Sequence, residues 1–208
     1  MTVEDVRKAE RVLAKQDPVL KRLIKQSGPC TLGTPTPGTT FVTLARSIVF
    51  QQLAGRAAAT IHGRFVTAIG GKVTPQAVLA TDFDTLRAAG LSGNKATSLI
   101  DLANAHLDGR INTRKIPSMT DDEIVEHLCT VRGIGRWTAE MFLMFHLGRL
   151  DVWPTGDLGV RNGYGIAWGV PAPTAKELEP LGDRFRPWRS VVAWYCWTAV
   201  DVTPPEGW

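Results

Sequence analysis

"VRGIGRWTAEMF", residues 131–142, sets two glycines one residue apart between two stretches of helical periodicity. Upstream, "MTDDEIVEHLCTV" (119–131) offers Thr120 as an N-cap with Glu123 three residues on, the spacing of a capping box. Downstream, a second helical pattern starts at about Arg136 and ends at Gly148. The local reading is helix, Gly-x-Gly hairpin, helix. Glycine allows φ > 0 and lets another group approach the backbone where a Cβ would stand. The amides of Gly133 and Gly135 and the free N–H groups of the second helix would converge on one point, and such a cluster binds an anion. An ordinary helix–helix turn with a glycine C-cap accounts for the same residues, and Gly-x-Gly alone does not separate the two.

Outward from the hairpin the chain stays helical, and alternating segments of strand type are scarce. "VEDVRKAERVLAKQ" (3–16) is an amphipathic helix ending at Asp17-Pro18, and "LGTPTPGTT" (32–40) is a linker. From Phe41 to about Ile69 runs one long helical pattern, stopped by Gly70-Gly71; shorter helices follow at 82–88 and 93–108. "DVWPTGDLGVRNGYGIAWG" (151–169) gives a tight turn and then a helix, and a last helix begins near Pro187 and carries "RSVVAWYCWTAV" (189–200). The expected architecture is all-α with two helical lobes, residues 40–149 forming one and residues 1–39 with 150–208 the other.

The 208 residues are 44% hydrophobic and 21% charged, an ordinary globular balance. Apolar runs are too short to span a bilayer, and the first residues lack the apolar core of a secretory signal, so a cytoplasmic protein is expected. Three scattered cysteines and four isolated histidines give no disulfide framework and no side-chain metal site. A net charge of +4 permits a nucleic-acid partner without requiring one.

"LCTVRGIGRWTAEMF" followed by "DVWPTGDLGVRNG" resembles the helix-hairpin-helix and the catalytic loop of the base-excision DNA glycosylase superfamily. "ARSIVFQQLAGRAAATI", "LSGNKATSLIDLANAHLDGRI" and "RPWRSVVAWYCW" look like further helices of that family, so the likeness covers most of residues 41–200. It is strongest with the 3-methyladenine DNA glycosylase II group, in the compact form without an N-terminal β domain. The cysteine quartet of the iron–sulfur glycosylases is absent. The resemblance implies a monomer acting on double-stranded DNA that contains alkylated bases, with the active site in the cleft between the lobes and no membrane association. In a prokaryote its place would be the nucleoid. Gly133, Gly135 and Thr138 would hold a DNA phosphate, and Gln52, with Leu53 next, would fill the gap left by a flipped nucleotide; a core Leu53 with the glutamines making helix-end hydrogen bonds accounts for the same stretch. No cofactor is required. A monovalent cation on the carbonyls of Cys129, Val131 and Ile134 is implied as a structural ion.

Asp157 lies 22 residues after Gly135, at or near a helix N-terminus where the dipole and free amides favour a carboxylate. Capping that helix is one sufficient reason for an aspartate there. The family motif supplies another: a carboxylate that stabilises the oxocarbenium-like sugar or orients the attacking water. Asp151 is the nearest competitor but misses the motif position. Trp137 stands where bifunctional relatives carry a lysine nucleophile, which implies base release without strand cleavage. Its indole face would attract a positively charged base, and the resemblance adds Met141 and Trp197 as pocket walls. Trp153, Trp168, Trp188 and Trp194 are read as core. Two other functions compete: a glycosylase for neutral oxidised or mismatched bases, and a non-catalytic helix-hairpin-helix module that only grips DNA.

Overall fold

A computed structural model of the chain describes residues 2–32, 38–53 and 55–200, with Gly55 as backbone only. Twelve α-helices run through the described residues: α1 (Val3–Gln16), α2 (Pro18–Ser27), α3 (Thr40–Phe50), α4 (Gly55–Ala68), α5 (Pro75–Ala80), α6 (Phe83–Ala88), α7 (Gly93–Leu107), α8 (Asp121–Cys129), α9 (Arg136–Met141), α10 (Leu158–Trp168), α11 (Ala175–Leu181) and α12 (Arg189–Ala199). No strand occurs among the described residues, so the all-α expectation holds. Nor, among them, is any helix long and apolar enough to cross a membrane. Of the expected linker, residues 33–37 lie outside the described residues.

Short polar side chains start most of these helices. Asp17 ends α1 and accepts the Val19 and Leu20 amides at 2.8 and 3.2 Å, so the Asp17-Pro18 break is also the cap of α2. Thr120 and Glu123 form the expected capping box on α8.

Three departures have local causes. The single helix expected over 41–69 is two, because the chain turns at Phe50–Leu53. There the Leu53 N–H reaches the Phe50 carbonyl at 3.3 Å, Gln51 sits at φ −51°, ψ 133°, and Gln52 at φ +57°. That is type II turn geometry. After Met141, α9 passes into a π-helical turn over Phe142–His146 and does not run unbroken to Gly148. Finally, α12 starts at Arg189, two residues past Pro187, after the Trp188 N–H has bonded back to Phe185 O at 2.8 Å.

Among the described residues, those within 1–36 and 143–205 pack as one compact unit and those within 37–142 as a second. The second boundary falls at 142, inside the π-helical turn, where the sequence had suggested 149. In the terminal unit, α12 is the buried centre: Tyr195, Cys196 and Trp197 are at most 1% exposed. Tyr195 donates its hydroxyl to buried Glu10 on α1 at 2.6 Å, and Glu10 also takes the Cys30 amide at 2.6 Å. Against α12 lies α10, and at Gly163 a Cβ would overlap the Cys196 carbonyl. That absence of a side chain sets how near the two helices come. In the central unit α7 packs on α3, α5 and α6, with Leu44, Ile48, Leu86 and Leu99 fully buried.

Candidate active site

In the terminal unit the loop before α10 is folded by its own backbone. Thr155 N–H bonds Trp153 O at 2.9 Å and Asp157 N–H bonds Pro154 O at 3.0 Å, which delivers Asp157 to the N-cap position. Its Oδ1 accepts the Val160 amide at 2.8 Å. A second donor arrives from α12, where Trp197 Nε1 lies 2.9 Å from the same oxygen. Gly159 makes that meeting possible: a Cβ there would stand 2.8 Å from Trp197 Cδ1 and 3.1 Å from Asp157 Oδ1. The carboxylate is 8% exposed and fixed in orientation by two N–H groups from different helices. Burial first, and then the Asp157 charge, push the neighbouring Cys196 thiol well above the ordinary thiol range. The capping contact and the indole contact fall on the same Asp157 oxygen.

Asp151 is occupied differently. Arg189 Nε and Nη2 reach its two oxygens at 2.8 and 3.0 Å, and Arg186 Nη1 adds a contact at 2.8 Å. Its charge is spent on tying the start of α12 to the loop.

In the central unit the hairpin joins α8 to α9 as the sequence indicates. Gly133 has φ +81°, and a Cβ on it would overlap Ser98 Oγ beneath. Gly135 differs, with an ordinary φ of −97° and nothing within 4 Å of a would-be Cβ. The fold demands glycine at 133. At 135 it leaves open space above the N-terminus of α9. Beside them, the Arg132 amide donates to Asp101 Oδ2 at 2.8 Å, and Arg110 pairs with Asp101 at 2.8 Å while reaching Thr130 O at 3.2 Å.

Residues 45–187 match the HhH-GPD superfamily of base excision DNA repair proteins. The chain belongs to that superfamily. It is 35% identical over 216 residues to DNA-3-methyladenine glycosylase 1 of Schizosaccharomyces pombe, covering 98% of this chain and 92% of that protein. To the alkylbase DNA glycosidase-like protein mag2 of the same yeast it is 34% identical over 199 residues, 93% of each chain. The solved structure of the S. pombe 3-methyladenine DNA glycosylase Mag1 in complex with abasic DNA superposes with a TM-score of 0.78 at 34% identity, covering 94% of this chain and 98% of that one.

Within this HhH-GPD chain the anticipated residues are placed unevenly. Trp137 is 37% exposed, at the start of α9. Met141 and Trp197, the two further expected pocket walls, are 0% and 1% exposed in this structure. Trp197 orients Asp157, and its ring stacks on Phe145 with centroids 6.0 Å apart. Thr138 is 4% exposed, its hydroxyl 3.3 Å from Gln51 Nε2, inside the hairpin and turned away from solvent. Gln52 and Leu53 are both exposed on the turn between α3 and α4. Gln52 occupies the left-handed position that a type II turn normally gives to glycine or asparagine. A residue with a Cβ held in that region carries backbone strain.

For the implied cation the donor set is backbone only. The Val131 carbonyl accepts Ile134 N–H at 3.1 Å and retains a second lone pair, while the Cys129 and Ile134 carbonyls flank it in sequence. Neutral carbonyl dipoles of this kind suit a singly charged ion. Among the described residues no group of three or more His, Cys, Asp or Glu could hold a metal ion.

Three residues of these surroundings escape sequence reading. Gln51, beside Gln52, donates its Nε2 to Gly133 O at 2.9 Å, a partner 82 residues away that its sequence neighbours do not show. Lys95 places Nζ 2.7 Å from both Val49 O and Gln51 O. Phe145 backs Trp197 only because the π-helical turn rotates it there. "FQQLAG" pointed to the stretch that holds the first but not to its partner; the other two depend on tertiary contacts.

Proposed function

We propose that this chain is a monofunctional DNA glycosylase that hydrolyses the N-glycosidic bond of alkylated, positively charged purines such as 3-methyladenine and 7-methylguanine. The carrying observation is the buried Asp157 carboxylate, fixed by Val160 and Trp197 in a base excision repair protein. The names of its relatives, DNA-3-methyladenine glycosylase 1 and the Mag1 structure with abasic DNA, support the lesion class and DNA as the partner.

In this reading the C1′–N bond breaks with its electron pair leaving on the base. An alkylated purine already carries a positive charge and departs neutral, so it needs little acid catalysis. The Asp157 carboxylate stabilises the oxocarbenium-like sugar and accepts a proton from the water that attacks C1′. The amides about Gly135 hold a phosphate through backbone donors and the α9 terminus, a contact that reads no sequence. A monovalent cation on the Cys129, Val131 and Ile134 carbonyls would add positive charge beside that phosphate. Trp137 presents an indole face to the cationic base, and with no amine at that position the abasic strand stays intact. Gln52 and Leu53 enter the vacated stack. The protein acts as a monomer where the DNA lies, in the cytoplasm.

The test is release of free bases from one duplex context carrying each lesion in turn. Methylated purines are expected to leave fast, with 8-oxoguanine and uracil retained. Preference for 8-oxoguanine would favour the neutral-lesion reading, and DNA binding without release of any base would leave only a gripping module.

A further inference from the structure

One face of α7 does more than fill the core. Lys95, Ser98 and Asp101 follow one another at intervals of three, on successive turns of the same side. Lys95 Nζ takes the carbonyls of Val49 and Gln51, each at 2.7 Å. Ser98 lies directly under Gly133, where it forbids any Cβ. Asp101 takes the Arg132 amide at 2.8 Å. A fourth link closes the circuit, because the Gln51 side chain reaches Gly133 O at 2.9 Å and Thr138 Oγ1 at 3.3 Å.

We propose that this face of α7 sets the spacing between the Gln52–Leu53 turn and the Gly133–Gly135 hairpin, and that Lys95 is the positioning residue that holds the turn in its base-displacing shape. The inference rests on the glycosylase reading above. Val49 lies in the last turn of α3 and Gln51 is its C-cap, so with both contacts Lys95 caps the end of that helix. The second carbonyl belongs to Gln51, in the turn itself and next to Gln52 at φ +57°. Two hydrogen bonds from one ammonium thus fix the peptide that precedes the strained residue. Lys95 is half-buried, and that burial pushes its pKa down, so the contacts to the two carbonyls are what favour its charged form there. Base extrusion costs unstacking energy, and the α7 face joins the turn and the hairpin by short contacts.

The experiment separates extrusion from bond cleavage. A duplex with 2-aminopurine beside a tetrahydrofuran abasic site reports unstacking by fluorescence with no bond broken, and an undamaged duplex reports the hairpin grip. Lys95→Met is expected to cut the fluorescence rise by about fivefold or more while affinity for undamaged duplex stays within about twofold, and Lys95→Arg to recover at least half the signal. Should Lys95→Met fail to fold, Lys95→Gln, too short to span both carbonyls, takes its place. An unchanged fluorescence rise in the variants would overturn the proposal. So would loss of undamaged-duplex affinity in step with the fluorescence and without rescue by arginine, since that marks a general fold defect. Failure of the glycosylase reading would show separately, as absence of base release by the wild-type protein whose unstacking signal persists.

Discussion

Trp197 donates its indole N–H to Asp157 Oδ1 at 2.9 Å, although 40 residues separate them in the chain. Two glycines on α10 allow it. Gly163 lets α12 approach until a side chain would overlap the Cys196 carbonyl, and Gly159, one turn earlier, leaves room for the indole edge. The carboxylate that caps α10 is thereby gripped by a second helix. Hydrogen bonds to a charged group contribute about 1.5–3 kcal/mol, which makes the indole a substantial part of how Asp157 is aimed.

Trp197→Phe keeps an aromatic ring against Phe145 and loses the N–H. Single-turnover base release should fall by about tenfold to a hundredfold, the equivalent of that hydrogen bond, while affinity for abasic DNA is retained. Gly159→Ala should reproduce the effect, since its Cβ forces Trp197 or Asp157 to move. Full activity in both variants would remove the indole from the catalytic arrangement.

The two hairpin glycines should separate by substitution. Gly133→Ala meets Ser98 and a positive φ, so thermal unfolding should occur at a lower temperature. Gly135→Asp has open space around it and should unfold like the wild type, yet a negative charge enters where the proposed phosphate would sit. Its dissociation constant should rise by about tenfold or more, with a salt dependence shallower by about one phosphate's worth. An unchanged dissociation constant at matched salt would sink the phosphate site.

How much of this was legible beforehand follows from which forces are local. Thr120 with Glu123, Asp17 before Pro18, and the Gly133–Gly135 hairpin are written in neighbouring residues, and each appears as the sequence indicates. The break at Phe50–Leu53 was not legible, because Lys95 reaches it from more than forty residues away and Gln52 is no turn former. At the catalytic loop the position of Asp157 was readable, but its partner was not. An aromatic residue in a sequence shows its ring and not the direction of its N–H, so the Trp197 contact to Asp157 is visible only in the structure.

Gln52 offers a test in which stability and activity move apart. Gln52→Gly relieves a left-handed residue, a strain of about 1–2 kcal/mol partly offset by the added freedom of glycine when unfolded. Thermal stability should hold or rise slightly. Release of a lesion from paired duplex should nevertheless drop, because nothing replaces the extruded nucleotide in the stack. Undiminished release would assign the displacing role to Leu53 or elsewhere.

The proposed role of Trp137 in setting the reaction type has its own test. Borohydride added during turnover should trap no protein–DNA adduct, and strands should break only on later alkali treatment. Trp137→Ala should lose base release, with Trp137→Phe retaining part of it through a smaller π-face. A trapped covalent complex would mean that an amine elsewhere in the chain attacks the sugar.

The central claim is that the Asp157 carboxylate performs the chemistry while other groups hold the DNA. Its most direct test is single-turnover release of 7-methylguanine at saturating protein, wild type against Asp157→Asn, with binding to a tetrahydrofuran duplex measured in parallel. The expected result is binding within about twofold of wild type and release slowed by about a hundredfold or more, the scale of losing one preorganised electrostatic group. Retention of about a tenth or more of the wild-type rate would contradict the account, whatever happened to binding.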